Sequence, residues 1–345
     1  MENMRIRNIK LNVLRDEPHE DPILHHLYGP MEQQGTGSWI LSRKTQFLLL
    51  LSFSLGCLYI NLQVNFPQIP QCPCGDCHTN DSWFSARFNA SYHPLMTRNI
   101  SNVSPDTFQW WKRMQRTRSG WDEYKRAVDE IFQIIPDKEM YMDAGPERCR
   151  VCSVVGNSGN LKNSHYGPMI DNGDFVFRIN RGPTEGYEQN VGTKTTHRII
   201  YPESAVDVDN STHLVFFAFK MLDLKWLVSV FTTHTITRAH IPVKSSIRAN
   251  ISLVMLVSPS FMKYVHHKWL QKHGQYPSTG FMTLIMALHI CDKVRVFGFG
   301  ADKDGNWNHY FETIKPNYRT GIHRGHFEYA TIKELQKRSK IELYG

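Results

Sequence analysis

Several short segments of this 345-residue chain bring together residue types that could do chemistry. Val154-Val155-Gly156-Asn157-Ser158-Gly159-Asn160 is an apolar run that ends in a glycine-bracketed turn. Glycine lets backbone come close to a ligand, and turn amides can face an anion. Asn157 and Ser158 are the side chains placed to touch it, though an ordinary strand-to-helix turn would read the same way. Tyr276-Pro277-Ser278-Thr279-Gly280 directly precedes a helical pattern. Ser278 or Thr279 there is a natural N-cap, and the same helix N-terminus could hold an anion. Gly298-Phe299-Gly300-Ala301-Asp302 leads into Gly305-Asn306-Trp307-Asn308-His309-Tyr310, and Gly321-Ile322-His323-Arg324-Gly325-His326-Phe327-Glu328 follows. Imidazole titrates near neutrality and serves as general base or acid. Any one of 17 histidines, however, is more often a surface or satisfied core residue. No Gly-Lys-Ser/Thr phosphate loop and no Gly-x-Ser-x-Gly elbow occurs, so neither a P-loop enzyme nor a serine hydrolase is supported.

Positioning such residues requires a scaffold, and the hydrophobic pattern supplies one. Cys152–Val155, Phe175–Ile179, Arg198–Tyr201, Leu214–Phe219, Ile251–Val257 and Val294–Phe299 read as buried strands. Helical spacing covers Phe108–Phe132, Ser260–Leu270 and Thr279–Ile290. This alternation predicts an α/β fold with a largely parallel sheet, whose ligands bind at the carboxyl ends of the strands. The glycine turn after Val155 and the Gly298 segment both fall at such ends.

The first residues imply an address. Phe47–Ile60 carries no charge, and the uncharged stretch continues to Phe66, giving about the 20 residues that a bilayer-spanning helix needs. Arg43 and Lys44 precede it and Asp76 and Asp81 follow, so the positive-inside rule places the N-terminus in the cytoplasm. The apolar run starts too far from Met1 for a signal peptide and is read as an uncleaved anchor. The expected organisation is a cytoplasmic tail over 1–45, an anchor over 46–66, a proline-bearing stem over 67–105 and a catalytic domain over 106–345. Sequons at Asn80, Asn89, Asn99, Asn102, Asn210 and Asn250 fit a lumenal remainder. So do Cys72, Cys74, Cys77, Cys149, Cys152 and Cys291, an even set that reads as disulfides in an oxidising compartment. Zinc at Cys74-x-x-Cys77 with Cys149-x-x-Cys152 is the alternative. The net charge of +8 suits an anionic partner. No nucleic-acid-binding motif accompanies it, and nucleic acid is not expected.

Taken in order, these segments resemble the animal sialyltransferases. Cys149–Ser204 looks like that family's long motif, Tyr276–Ala301 like its short motif, and His323-x4-Glu328 like its very short one. Within the family the likeness is greatest to the α2,3 group acting on Galβ1-3GalNAc, through Trp110-Trp111 with Gln115, YPSTG at 276–280, and Gly305-Asn306-Trp307 before His309-Tyr310. The resemblance, running over about Gln71 to Tyr344, implies a Rossmann-like variant of the nucleotide-sugar glycosyltransferase fold. It also implies transfer of N-acetylneuraminic acid from CMP-sialic acid to the 3-hydroxyl of a terminal galactose, in O-glycans and glycolipids, in the Golgi.

Carried over residue by residue, His323 is the base and His309 binds the donor phosphate. Asn157, Ser158, Asn180, Tyr201, Ser278, Gly280 and Gly300 form the donor pocket, while Gln115 and Tyr276 hold the acceptor galactose. The implied disulfides are Cys72–Cys77, Cys74–Cys149 and Cys152–Cys291. A monophosphate leaving group calls for neither metal nor cofactor, and Asp207-Val208-Asp209, an Asp-x-Asp pattern beside the Asn210 sequon, reads as surface loop. The partners are galactose-terminated glycoproteins or glycolipids and the Golgi membrane, with room for a homodimer. This chain departs from the group's pattern at Asn308, usually a histidine, at His240, often a tyrosine, and in a shorter segment between His309 and His323. A different linkage or acceptor, or a catalytically silent Golgi glycan-binding protein, are the competing readings.

Overall fold

The computed structural model describes residues 42–65, 74, 81–98, 103–116, 118–138, 141, 149–236, 241–302, 304–313 and 322–345, without the side chains of 57–65. It divides into Met1–Pro67 and Gln68–Gly345. In the first unit, the expected anchor coincides with helix α1, Arg43–Asn65. Among the described residues no helix is long and apolar enough to cross a membrane, and the side chains of the second part of α1 lie outside that description.

The second unit is built on a parallel sheet in the order β5-β4-β3-β2-β1-β6-β7. Its strands are β1 Val151–Val155, β2 Phe175–Ile179, β3 His197–Ile200, β4 His213–Phe216, β5 Val254–Leu256, β6 Lys293–Phe297 and β7 Glu342–Tyr344. Every neighbouring pair is parallel. The strands are short near-continuous apolar runs, as expected where helices cover both faces. The chain steps outward from β1 to β5, then returns to lay β6 on the other side of β1. This reversal opens a crevice at the carboxyl ends of β1 and β6, where such sheets bind ligands.

Helices α2 Ser82–Ser85, α3 Pro105–Met114, α4 Trp121–Ile134, α5 Gly167–Asp171, α6 Glu188–Val191, α7 Met221–Phe231, α8 Pro259–Tyr264, α9 Thr279–Ile290 and α10 Gly325–Lys337 surround the sheet. α9 is apolar on every side, with Phe281 through Leu288 buried, and packs across β1, β2 and β6. A helix hydrophobic all round has to be a core element, so its N-terminus is fixed rigidly beside the crevice.

The single helical stretch expected over Phe108–Phe132 is in fact α3 and α4, broken at Gln115–Gly120. The apolar spacing continues across the break, but α3 starts on a Ser104 cap with Pro105 in its first turn and α4 starts afresh at Gly120. The expected strand Ile251–Val257 shortens to β5, because Asn250 caps a 3-10 turn over Ile251–Leu253. The Ser260–Leu270 helix is α8 continued as a π-helical turn, Val265–Trp269. Within the stretch expected to be stem, Phe84, Met96 and Val103 are buried in the core, and Met96 donates its N–H to the Leu256 carbonyl at 2.8 Å.

Cys74 bonds Cys149 and Cys152 bonds Cys291. These bonds occupy Cys74, Cys149 and Cys152, and so exclude the zinc alternative. Cys72 and Cys77 lie outside the described residues. The second disulfide, from β1 to the end of α9, spans 139 residues of sequence and ties helix to strand.

Candidate active site

Gly156, directly after β1, can only be glycine: a Cβ there would lie 2.3 Å from the Gly298 carbonyl oxygen of the turn after β6. Its N–H donates to the Phe297 carbonyl (2.8 Å), and Ser158 N–H donates to the Gly298 carbonyl (3.0 Å). The two turns therefore interlock and form the floor of an open cleft of about 160 Å³. Ser158, Ser278, Gly280, Gly300 and His309 all line it, together with Phe299, Trp307, Asn308, Glu328 and Tyr329. Gly300 has a φ of +88°, and a Cβ on it would strike the Tyr329 ring at 2.6 Å.

Segment 308–310 is stitched against the first turn. Gly159 N–H donates to the Asn308 carbonyl (2.7 Å), and Tyr310 N–H donates to the Asn157 carbonyl (2.9 Å). These bonds carry the His309 ring to the rim of the cleft, where it stacks on Phe311 at 5.1 Å. Its Nδ1 lies 2.6 Å from Glu312 Oε1. A carboxylate only accepts, so Nδ1 carries the hydrogen and Nε2 is left to face a ligand. Asn308, the departure from the family pattern, donates to Asp302 Oδ2 at 3.1 Å. His240, the other departure, lies outside the described residues.

Asn157 and Asn180 meet at the ends of β1 and β2. Asn157 Nδ2 donates to the Ile179 carbonyl at 3.1 Å. Asn180, in left-handed backbone at φ +56°, has a buried Oδ1 with no hydrogen-bond partner among the described residues. Buried polar atoms are nearly always satisfied, so this one fits a ligand donor. Arg198 fixes the loop from below, with Nη1 donating to the Asn180 and Gly182 carbonyls at 3.1 and 2.9 Å. Tyr201 stands half-buried at the end of β3, its hydroxyl pKa raised chiefly by burial.

His323, Tyr276 and Gln115 form a second group beside this cleft. Gln115 Nε2 donates to the Tyr276 hydroxyl at 2.9 Å, and burial raises that hydroxyl's pKa. His323 Nδ1 lies 2.9 Å from the Tyr276 carbonyl oxygen, with the two rings edge-on at 5.0 Å. A carbonyl cannot donate, so Nδ1 bears the hydrogen and the basic lone pair of the neutral ring is on Nε2.

Glu328 joins the two groups, bonded to Ser278 and in the field of His323. It accepts from Ser278 N–H at 2.7 Å and Ser278 Oγ at 2.5 Å, while Ser278 Oγ caps α9 by accepting from Phe281 N–H at 3.1 Å. Burial pushes the Glu328 carboxyl up and the Ser278 donors pull against it. The positive N-terminus of α9 also favours its anion. Ser278 is thus a cap and a cleft residue at once.

The carboxylates of the Asp-x-Asp pattern are engaged elsewhere. Asp207 pairs with Lys244 at 2.8 Å, and Asp209 accepts the Ser211 and Thr212 N–H groups. Among the described residues no group of His, Cys, Asp and Glu could hold a metal ion. Sequence reasoning missed Glu312, Tyr329 and Arg198. Each acts on a partner through the fold, and only Glu312, three residues past His309, leaves a local trace.

A doubly wound parallel sheet with glycine turns, a helix N-terminus and an oriented imidazole at its switch point, and a second oriented imidazole beside it, defines an α/β enzyme domain. The glycosyltransferase family 29 (sialyltransferase) model matches residues 95–340, and the chain belongs to that family. It is 42% identical over 288 residues, 81% of this chain and 84% of the relative, to CMP-N-acetylneuraminate-beta-galactosamide-alpha-2,3-sialyltransferase 1 of Gallus gallus. The Homo sapiens protein of the same name is 41% identical over 281 residues, covering 79% and 82%. A crystal structure of a mammalian sialyltransferase in complex with Gal-beta-1-3GalNAc-ortho-nitrophenol superposes with a TM-score of 0.72 at 41% identity, covering 79% of this chain and 98% of the other.

Proposed function

We propose that this chain transfers N-acetylneuraminic acid from CMP-N-acetylneuraminic acid to the 3-hydroxyl of the terminal galactose in Galβ1-3GalNAc, as an inverting α2,3-sialyltransferase. The relatives' names and the disaccharide bound to the structural neighbour support this acceptor. The observation that carries the reading is the His323 Nδ1 contact to the Tyr276 carbonyl, which supports Nε2 as the proton-accepting nitrogen.

In this reading Nε2 of His323 takes the proton of the galactose 3-hydroxyl as its oxygen bonds to C2 of the sialyl group. The C2–O bond to phosphate breaks on the opposite face, and CMP leaves with the electron pair. His309 Nε2 faces the phosphate and stabilises that charge. Asn157, Ser158, Asn180, Tyr201, Ser278, Gly280 and Gly300 bind the donor, and Gln115 and Tyr276 hold the galactose. One base and one anion-stabilising group suffice for a single displacement, and no pair of carboxylates is required. The reaction uses no metal. The chain is a single-pass type II protein of the Golgi membrane, anchored by α1, with the Gln68–Gly345 unit lumenal.

The test is an assay of the full chain in detergent with CMP-sialic acid and Galβ1-3GalNAc, lactosamine and ganglioside acceptors, with and without EDTA. The expected product is an α2,3 linkage on Galβ1-3GalNAc, undiminished by chelation. Another linkage, loss of turnover on chelation, or donor binding without transfer would overturn the proposal.

A further inference from the structure

The end of α3 is stitched to the segment that carries Tyr276. Gln275 Nε2 donates to the Met114 carbonyl at 2.8 Å, one residue from the Gln115–Tyr276 bond. Gln275 N–H donates to the Ile322 carbonyl at 3.0 Å, next to His323, and the Arg324 stem passes close to Gly274. These contacts bring separate stretches of chain to one edge of the site, and each arrives with exposed cations. Arg113, Arg116 and Arg118 come from the end of α3 and the residues after it, Lys268 and Lys272 from the π-helical turn and its exit, and Arg324 from the start of α10. None of these is ion-paired with a described carboxylate. Asp106, the acid facing this cluster, is bonded to Lys263 and is in the field of Arg113 and His267.

Exposed cations from three segments, without an ion-pair partner among the described residues, make a field broader than one sugar residue, and such a field attracts an extended polyanion. Resting on the sialyltransferase reading above, we infer that this rim docks the polypeptide that carries the acceptor glycan, and selects carriers with acidic residues flanking the glycosylated serine or threonine. The galactose sits at Gln115, Tyr276 and His323, while the acidic backbone lies along Arg113, Arg116, Lys268 and Lys272. A bilayer surface fits less well, because the cations lie along the edge of the site beside Gln115, Tyr276 and His323, where the carrier of the sugar must pass.

Initial rates of the full chain would be compared on three acceptors: Galβ1-3GalNAc-nitrophenol, a neutral glycopeptide bearing the same disaccharide, and that peptide with Asp and Glu flanks. At low salt kcat/KM on the acidic glycopeptide should exceed that on the neutral one by about tenfold, and the advantage should fade with added salt. Arg113→Gln combined with Lys272→Gln should remove most of it and leave turnover of the nitrophenyl disaccharide unchanged, which also shows that the variant folds. Equal rates on the two peptides, with the disaccharide still turned over, would overturn the docking inference alone. No turnover of the disaccharide would overturn the sialyltransferase reading. Competition by anionic lipid vesicles stronger than that by the acidic peptide would assign the rim to a membrane and also contradict the inference.

Discussion

Each imidazole at the site is oriented through its Nδ1, and the two holders differ in charge. The Tyr276 carbonyl orients His323 as a neutral acceptor, and the Glu328 carboxyl also feels this ring. The Glu312 carboxylate orients His309 and brings a negative charge to its Nδ1 side, which strengthens that hydrogen bond. Glu312 is therefore a positioning residue. Glu312→Gln keeps a hydrogen-bonding oxygen and loses the charge. It is expected to lower kcat and weaken CMP inhibition by up to about tenfold, since both side chains are partly exposed and the pair is screened. The KM for acceptor should stay as it was. A change in acceptor KM with CMP inhibition intact would contradict this role.

Among the elements, the interlocked turns after β1 and β6 are the rigid part of the site. Gly156→Ala forces a Cβ against the backbone oxygen of Gly298, which no side-chain rotation relieves. A cost of about 2 kcal/mol is expected, read as a lower Tm together with weaker CMP binding; an unchanged Tm would show that the turns can part. These turns were legible in the sequence because apolar strands run straight into glycine, and Thr279–Ile290 was legible because a capping serine precedes an unbroken apolar run. α7 and α10 were not, since α7 opens on the buried Lys220–Asp223 pair and α10 mixes charged residues into its apolar stripe. Three-residue β7 is too short to carry a period. The Gln115–Tyr276 contact joins positions 161 apart; the family resemblance assigned both residues to the acceptor galactose but not their mutual bond, and local patterning has no access to such a distance. The same holds for Arg198 beneath Asn180.

For the whole molecule, buried ionisable groups set how stability follows pH. His197 is fully buried, stacked on His213 and Phe177, and burial depresses its pKa well below the usual value. Burial likewise lowers His213, His266 and His289. A base with a depressed folded pKa leaves the unfolded chain binding more protons, so stability is present above pH ~6.5 and falls as acid is added. Asp223 acts in the opposite sense. Burial raises its carboxyl to about 6 despite Lys220, so its contribution declines as pH rises from ~4 to 6. Glu328, whose buried carboxyl is also raised, acts in the same sense as Asp223. As pH falls from 7 the histidines lower Tm, and towards pH 5 the slope should flatten as the two raised carboxyls offset them. A Tm that rises steadily from pH 7 to 5 would contradict this. His197→Phe, close in shape and unable to take a proton, should reduce the dependence.

The most direct measurement is the single-turnover rate of sialyl transfer to Galβ1-3GalNAc by His323→Ala, with CMP affinity measured on the same preparation. A fall of about a thousandfold with CMP binding retained is expected if Nε2 of His323 takes the galactose proton. Transfer at near wild-type rate by a variant that still binds CMP would contradict it.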